Sequence, residues 1–254
     1  MSTTRDSLYK APEIYDAAFS WDPTIESEFY GNLLRNIGRR GESSRNRIVE
    51  FGCGTGRILR VLCKLGFFCV GVDISPRMSR YAYRRGPRNL VDVVVVVADM
   101  ARVPARAETF AAAICTLSSI NYLSKKGVVS HLKEVNRVLI RGRVYIIDFL
   151  LGTPDKKEEK WDITRDGIRY NMEWSIKRVG RDPDKFRENI DIRSGTAPLL
   201  QSRSTTTLLQ KAEFHAALGE AGLHAKHWFK PFVPKPLPHP PRRGRTIAVL
   251  GKVA

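Results

Sequence analysis

Val49-Glu50-Phe51-Gly52-Cys53-Gly54-Thr55-Gly56-Arg57 is the most informative stretch of the chain. A short β-branched strand, residues 47–51, runs straight into glycines. Helical periodicity comes next in Ile58, Leu59, Leu62 and Leu65 and ends at Gly66. Glycines at a strand-to-helix turn let a ligand approach the backbone, and the helix beyond offers unpaired N–H groups. Many nucleotide-binding α/β proteins share such a turn, so its companions matter. Asp73 closes the next apolar strand about twenty residues after the first glycine, where a carboxylate can grip two ribose hydroxyls. Asp99, in Val97-Ala98-Asp99-Met100, puts another polar group at the same edge of the sheet.

On either side of this turn the alternation repeats. Strands are expected at 67–72, 91–98, 110–117 and 144–150, and helices at 76–85 and 128–139. Near-continuous apolar strands separated by amphipathic helices indicate a parallel sheet covered on both faces. On the N-terminal side, Asp22-Pro23 offers a cap and a first-turn proline for a helix ending near Gly38, and a shorter helix through Ile14 and Phe19 precedes it. Residues 152–166 are polar and read as an exposed loop. From Ile168 to Lys177 apolar and polar residues alternate, marking a half-buried antiparallel strand, with partners at 186–193 and 199–208. A helix at 210–221, a strand at 224–229, a proline-rich loop at 231–241 and a strand at 246–253 close the chain.

The expected architecture is therefore α/β: a doubly wound, Rossmann-like seven-stranded sheet with an antiparallel last strand, plus a small antiparallel β insert. Its parts are an N-terminal helical lid (1–45), the core (46–151), the insert (152–208) and the C-terminal part of the core sheet (209–254).

Composition sets outer limits. With 254 residues, 43% hydrophobic and 27% charged, the chain reads as an ordinary globular protein able to bury a sizeable core. The polar N-terminus lacks a secretory signal, and the longest apolar run, 93–98, is far too short for a bilayer, so a cytoplasmic location is expected. Cys53, Cys63, Cys69 and Cys115 show neither a CxxC pair nor zinc spacing, and no metal is expected. The net charge of +17 gathers at 35–47, 77–88 and 230–245. It leaves RNA open as a partner beside the plainer reading of solvated surfaces.

Glu-Phe-Gly-Cys-Gly-Thr-Gly-Arg at 50–57 resembles the first motif of class I S-adenosylmethionine-dependent methyltransferases. Gly71-Val-Asp-Ile-Ser-Pro76 resembles the second motif and Val97-Ala-Asp-Met100 the third. Thr116-Leu-Ser-Ser-Ile-Asn-Tyr122 resembles the segment flanking the methyl donor in members acting on small molecules. The resemblance implies an enzyme using S-adenosyl-L-methionine and releasing S-adenosyl-L-homocysteine. Gly52, Gly54 and neighbouring backbone would hold the methionine portion, and Glu50, Cys53 and Arg57 would also take part in binding the cofactor. Asp73 would bind the ribose, Ile74 would pack on the adenine, and Asp99 would bond the adenine amine with Met100 lining that pocket. Thr116 and Leu117 would lie beside the methionine end, and Tyr15 resembles a lid tyrosine over the donor.

The segment after the fourth strand bears on the acceptor. Neither Asn-Pro-Pro-Tyr nor Asp-Pro-Pro-Tyr stands there, which favours a small-molecule nitrogen or oxygen nucleophile over a nucleic-acid base. Tyr15, Asn121 and Tyr122 are the residues expected to touch the reacting groups. An amine needs only to be unprotonated, whereas a hydroxyl wants a general base. The histidines, His131 on a helix that reads as surface among them, are expected to be structural. The stripe Tyr170, Met172, Trp174 is either a pocket roof or the buried face of the insert. An RNA or protein methyltransferase, a non-catalytic cofactor- or nucleic-acid-binding protein, and an oligomer formed through the insert stay open. A nicotinamide oxidoreductase fits poorly, because Arg57 takes the place of the third glycine.

Overall fold

The computed structural model describes residues 7–34, 47–85, 93–154 and 157–252. The expected helix end near Gly38, the basic cluster at 35–46 and the start of the strand at 91 lie outside these residues, as do 1–6 of the N-terminal segment, 86–88 of the second cluster and the final residues of the last strand.

Strand β1 (Arg47–Phe51) lies between β2 (Phe68–Asp73) and β4 (Phe110–Cys115), parallel to both. β3 (Val93–Val97) adds outside β2, and β5 (Leu139–Leu151) adds outside β4. β11 (Gly244–Lys252) pairs antiparallel with β5, and β10 (Leu223–Phe229) pairs antiparallel with β11. The full order is β10-β11-β5-β4-β1-β2-β3. The winding reverses between β1 and β4, and in open α/β sheets ligands bind in the crevice at such a switch point.

Alternation along β1 builds a core on each face. Val49 and Phe51 pack with Leu132 and Val135 of α6 (Lys125–Val138) and with Phe214 and Leu218 of α7 (Lys211–Glu220). Ile48 packs on the other side with Ile58 and Leu62 of α4 (Arg57–Lys64) and with Phe29 and Tyr30 of α3 (Thr24–Leu33). All six residues of β4 are buried, as a central strand covered on both faces requires. Helix α5 (Pro76–Arg85) packs over β2 and β3. Pro23, expected as the first helical residue, is the N-cap of α3, and Asp22 stands one residue ahead of it; the Asp22 Oδ1 accepts from the Thr24 N–H at 2.9 Å and the Thr24 hydroxyl at 2.6 Å. The four cysteines are buried thiols, and the described residues contain no cluster able to hold a metal ion.

A second sheet, order β6-β7-β8-β9, is antiparallel throughout: β6 (Glu158–Arg165), β7 (Ile168–Arg178), β8 (Lys185–Ser194) and β9 (Ala197–Thr207). β6 corrects the expectation of a loop over 152–166. It is an edge strand that turns Trp161, Ile163 and Arg165 partly inward and leaves Lys160, Asp162 and Thr164 in solvent. Five of its eight residues are exposed, so its composition looks like a loop's. The inner face of this sheet presents Met172, Ile190, Ile192 and Leu200 to Leu8 and Ala18. These last two belong to the short helices α1 (Ser7–Lys10) and α2 (Pro12–Ala18), which pack against this face.

Candidate active site

The turn after β1 requires glycine at two points. Gly52 has φ +66°, and a Cβ there would lie 2.9 Å from the Ser119 Cβ. Gly54 has φ +53°, and its N–H donates to Asp73 Oδ2 at 2.8 Å. Asp73 Oδ1 accepts from the Ser75 N–H, also at 2.8 Å. One carboxylate at the end of β2 thus fixes both neighbouring loops and keeps lone pairs for a ligand. The Tyr15 ring closes the turn from above, its Cε1 3.9 Å from where a Gly54 Cβ would stand.

This turn opens on a cavity of about 2220 Å³. A single small-molecule pocket occupies roughly 300–1,000 Å³, so there is room here for two ligands side by side. Gly52, Gly54, Asp73, Ile74, Asp99 and Met100 line the side formed by the ends of β1, β2 and β3. Ile74 is 71% exposed, an apolar platform presented to open space beside Asp73. Asp99 accepts from the Ala101 N–H at 2.8 Å, which shapes its loop.

After β4 the chain enters the cavity wall through two left-handed non-glycine residues, Leu117 (φ +51°) and Ser118 (φ +57°). Such conformations cost about 1–3 kcal/mol each and persist only where surroundings impose them. Here Asp148 imposes them, its Oδ2 accepting from the Leu117 N–H at 3.3 Å and its carbonyl from Ser118 at 3.1 Å. Arg245 holds the Asp148 carboxylate bidentately at 2.9 and 2.7 Å.

The remaining wall comes from α1, α2, the short helical turn after β4 that carries Tyr122, and the second sheet. Tyr9, Tyr15, Tyr122, Trp174 and Glu188 face the cavity there. The aromatic stripe has both of its expected roles: Met172 is core, while Trp174 lines the cavity. Burial, first of all, drives the phenols of Tyr9, Tyr15 and Tyr122 far above their ordinary value, and the Glu188 charge adds to it. These hydroxyls stay protonated, and that of Tyr122 donates to Glu188 Oε2.

Of the residues expected at the site, Glu50, Cys53, Arg57, Thr116 and Asn121 stand behind this lining. Thr116 donates its hydroxyl to Glu50 Oε1 at 3.3 Å. Cys53 anchors the turn through its N–H, which donates to the Val72 carbonyl at 3.0 Å. Arg57 clamps Glu26, one contact being 2.9 Å, and stacks 4.7 Å over Trp21. Asn121 is wholly committed to backbone: it donates to the Leu150 and Thr207 carbonyls at 3.0 and 2.9 Å and accepts from the Leu150 N–H at 2.9 Å. It ties the end of β9 to β5, a positioning place. His131 is fully buried, against the expectation of a surface residue. Its ring bonds the Met100 carbonyl at 2.9 Å and the Tyr145 hydroxyl at 2.8 Å, so it braces the Met100 loop from behind.

Glu50 is the least satisfied group. It is 1% exposed and its Oε2 has no hydrogen-bond partner. Burial pushes its carboxyl up to about 8, with the Arg57 guanidinium and the Thr116 hydroxyl only partly opposing. The folded protein therefore keeps a proton that the unfolded chain loses near 4.5. Stability from this group is greatest below that value and falls as pH rises toward 8, by on the order of 4 kcal/mol in all. Glu50→Gln stays neutral, so its stability relative to wild type should climb from pH 5 to pH 8 in denaturant titrations. A difference independent of pH would overturn the assignment.

Two groups at the site escaped the sequence. Asp16 meets Arg60, Arg165 and Arg85 at 2.9, 3.1 and 3.4 Å. Those partners lie on other elements, and no local pattern announces them. Glu188 did carry a signal, since it shares the inward phase of β8 with Phe186, Ile190 and Ile192.

Residues 48–142 match the family model described as a methyltransferase domain. An uncharacterized protein of Methanocaldococcus jannaschii is 30% identical over 135 residues, 53% of this chain and 49% of that one. A putative methyltransferase of Bacillus subtilis is 30% identical over 105 residues, 41% and 42% of the two chains. The chain thus spans about half the length of these curated relatives. Among solved structures, an S-adenosylmethionine-dependent methyltransferase from Clostridium acetobutylicum has a TM-score of 0.73 at 17% identity, covering 96% of this chain and 98% of its own. A sugar N-methyltransferase from a Streptoalloteichus species has a TM-score of 0.72 at 22% identity, covering 100% and 97%. These likenesses establish the shared fold over the whole chain. Among the described residues no helix is long and apolar enough to cross a membrane.

Proposed function

We propose that the protein transfers a methyl group from S-adenosylmethionine to a nitrogen or oxygen nucleophile of a small molecule, a reading supported by the match of residues 48–142 to the methyltransferase-domain model. The observation that carries the acceptor class is the cavity: one space roofed by α1, α2 and the second sheet, too large for the donor alone. In this reading α1 and α2 act as the lid.

The residues fit the donor. Asp73 presents a carboxylate for the ribose, Ile74 an apolar surface for the adenine, and Asp99 a polar group beside it. Gly52 and Gly54 leave space at the turn that a Cβ would fill. Glu50, a buried neutral carboxyl with one oxygen unpaired, stands behind that turn, and the donor's cationic end would favour its ionised form. The bound donor supplies a methyl group made electrophilic by its sulfonium. The protein's part is chiefly alignment and exclusion of water, and proximity with correct orientation accounts for much of such a rate. The Asp148–Arg245 pair holds Leu117 and Ser118 at the wall, and Asn121 positions the second sheet over it. No histidine of the described residues lines the cavity.

Neither RNA nor self-association gains support from the known relatives. The experiment is methyl transfer from labelled donor into separated RNA, protein and metabolite fractions. Label in the metabolite fraction is expected; salt-sensitive label in RNA alone would show that the charge was the better guide.

A further inference from the structure

Glu188 is a carboxylate of the second sheet that lines the cavity, with neutral hydrogen-bond donors around it. Its Oε1 accepts from the Trp174 indole N–H at 2.7 Å, and its Oε2 from the Ser204 hydroxyl at 3.0 Å and from the Tyr122 hydroxyl. No ion pair among the described residues includes it, in a chain of net charge +17. The nearby Arg203 is turned to Asp191 at 3.0 Å, and Glu26, another carboxylate on the cavity, is matched by Arg57. Aromatic rings flank Glu188: Trp174 and Tyr122 bond it directly, and Tyr9 stands 6.1 Å from Tyr122, edge to face.

A half-buried carboxylate held rigid by three neutral donors still has lone pairs to offer. Aromatic rings stand beside it, and a ring attracts a cation that reaches its face through the ring quadrupole. Together they form a receptor for an ammonium group or an amine N–H, and a poor one for a neutral hydroxyl. The tyrosines point the same way. Their phenols, pushed well above the ordinary value first of all by burial, cannot serve as the base that an oxygen nucleophile would want, whereas an amine needs none beyond loss of its own proton.

We propose that the acceptor is an amine-bearing small molecule, and that Glu188, walled by Trp174 and Tyr122, is the residue that binds its nitrogen. This rests on the reading of the cavity as the methyltransferase site. Glu188 orients the nitrogen through its N–H groups, which leaves the lone pair directed away from the carboxylate and into the space beside the donor.

The test uses the full chain loaded with S-adenosylhomocysteine and titrated with cyclohexylamine and with cyclohexanol, which match in shape and differ in charge. Wild type is expected to bind the amine about tenfold or more tightly than the alcohol, the scale of a charge-assisted hydrogen bond. Glu188→Gln keeps the volume and a partner for each neighbour. It should lose that preference while keeping its affinity for S-adenosylhomocysteine, which also reports that it has folded. Equal binding of amine and alcohol by wild type overturns the proposal without recourse to any variant. So does a preference that survives Glu188→Gln. Failure of wild type to bind S-adenosylhomocysteine would instead strike at the methyltransferase reading itself.

Discussion

Asp73→Ala should lower the affinity for S-adenosylmethionine by about 3 kcal/mol, or two orders of magnitude, since two charge-assisted hydrogen bonds to the ribose are removed together. The carboxyl is well prepared for that role. Burial raises it above its ordinary value, with the Ser75 and Gly54 amides opposing, so two further hydroxyl donors would relieve a real deficit. The same substitution frees the Gly54 and Ser75 N–H groups, which loosens the turn. Asp73→Asn separates the two effects: it keeps the volume and one accepting oxygen but drops the charge, and is expected to lie between alanine and wild type. Calorimetric titration of each variant, with circular dichroism to confirm folding, makes the comparison. An unchanged affinity in folded Asp73→Ala would remove Asp73 from the donor site.

Asp16→Ala should destabilise the protein by about 3 kcal/mol, the lower part of the range for removing one partner of a buried charge cluster. Asp16 is 3% exposed and its carboxyl stays below the ordinary value: burial works against this, but Arg60, the Thr55 hydroxyl and Arg165 outweigh it. Arg60 comes from α4 and Arg165 from β6, so the carboxylate pins α2 to the core sheet's helix layer and to the second sheet at once. The partners' own partial exposure keeps the expected loss below the upper end of that range. Without Asp16, three guanidinium groups face one another, and residues 7–20 should become open to proteolysis. Donor affinity should fall as well, because Leu8, Tyr9 and Tyr15 line the cavity. Wild-type stability and unaltered proteolysis in the variant would show that α2 is held by apolar packing alone.

Local interactions were legible in the sequence, and distant ones were not. The turn at Gly52 and Gly54, the strand ends at Asp73 and Asp99 and the helix 76–85 are written in contiguous residues, and the structure places all of them at one edge of the sheet. β6 was illegible because an edge strand has the composition of a loop on its wet side. His131 read as surface because its partners, Met100 and Tyr145, come from distant segments and are invisible to periodicity on α6. Asn121 read as a group for the reaction because the loop after β4 meets the cavity. Its partners on β5 and at the end of β9 appear only once the second sheet is in place.

Everything proposed for the cavity depends on the edge formed by the ends of β1, β2 and β3 holding S-adenosylmethionine. Calorimetric titration of the wild-type chain with S-adenosylhomocysteine is the decisive measurement, since binding requires no knowledge of the acceptor. Saturable binding of one equivalent is expected, with no comparable heat from a nicotinamide dinucleotide. Absence of binding to S-adenosylhomocysteine, or preferential binding of the dinucleotide, would refute the assignment of this edge.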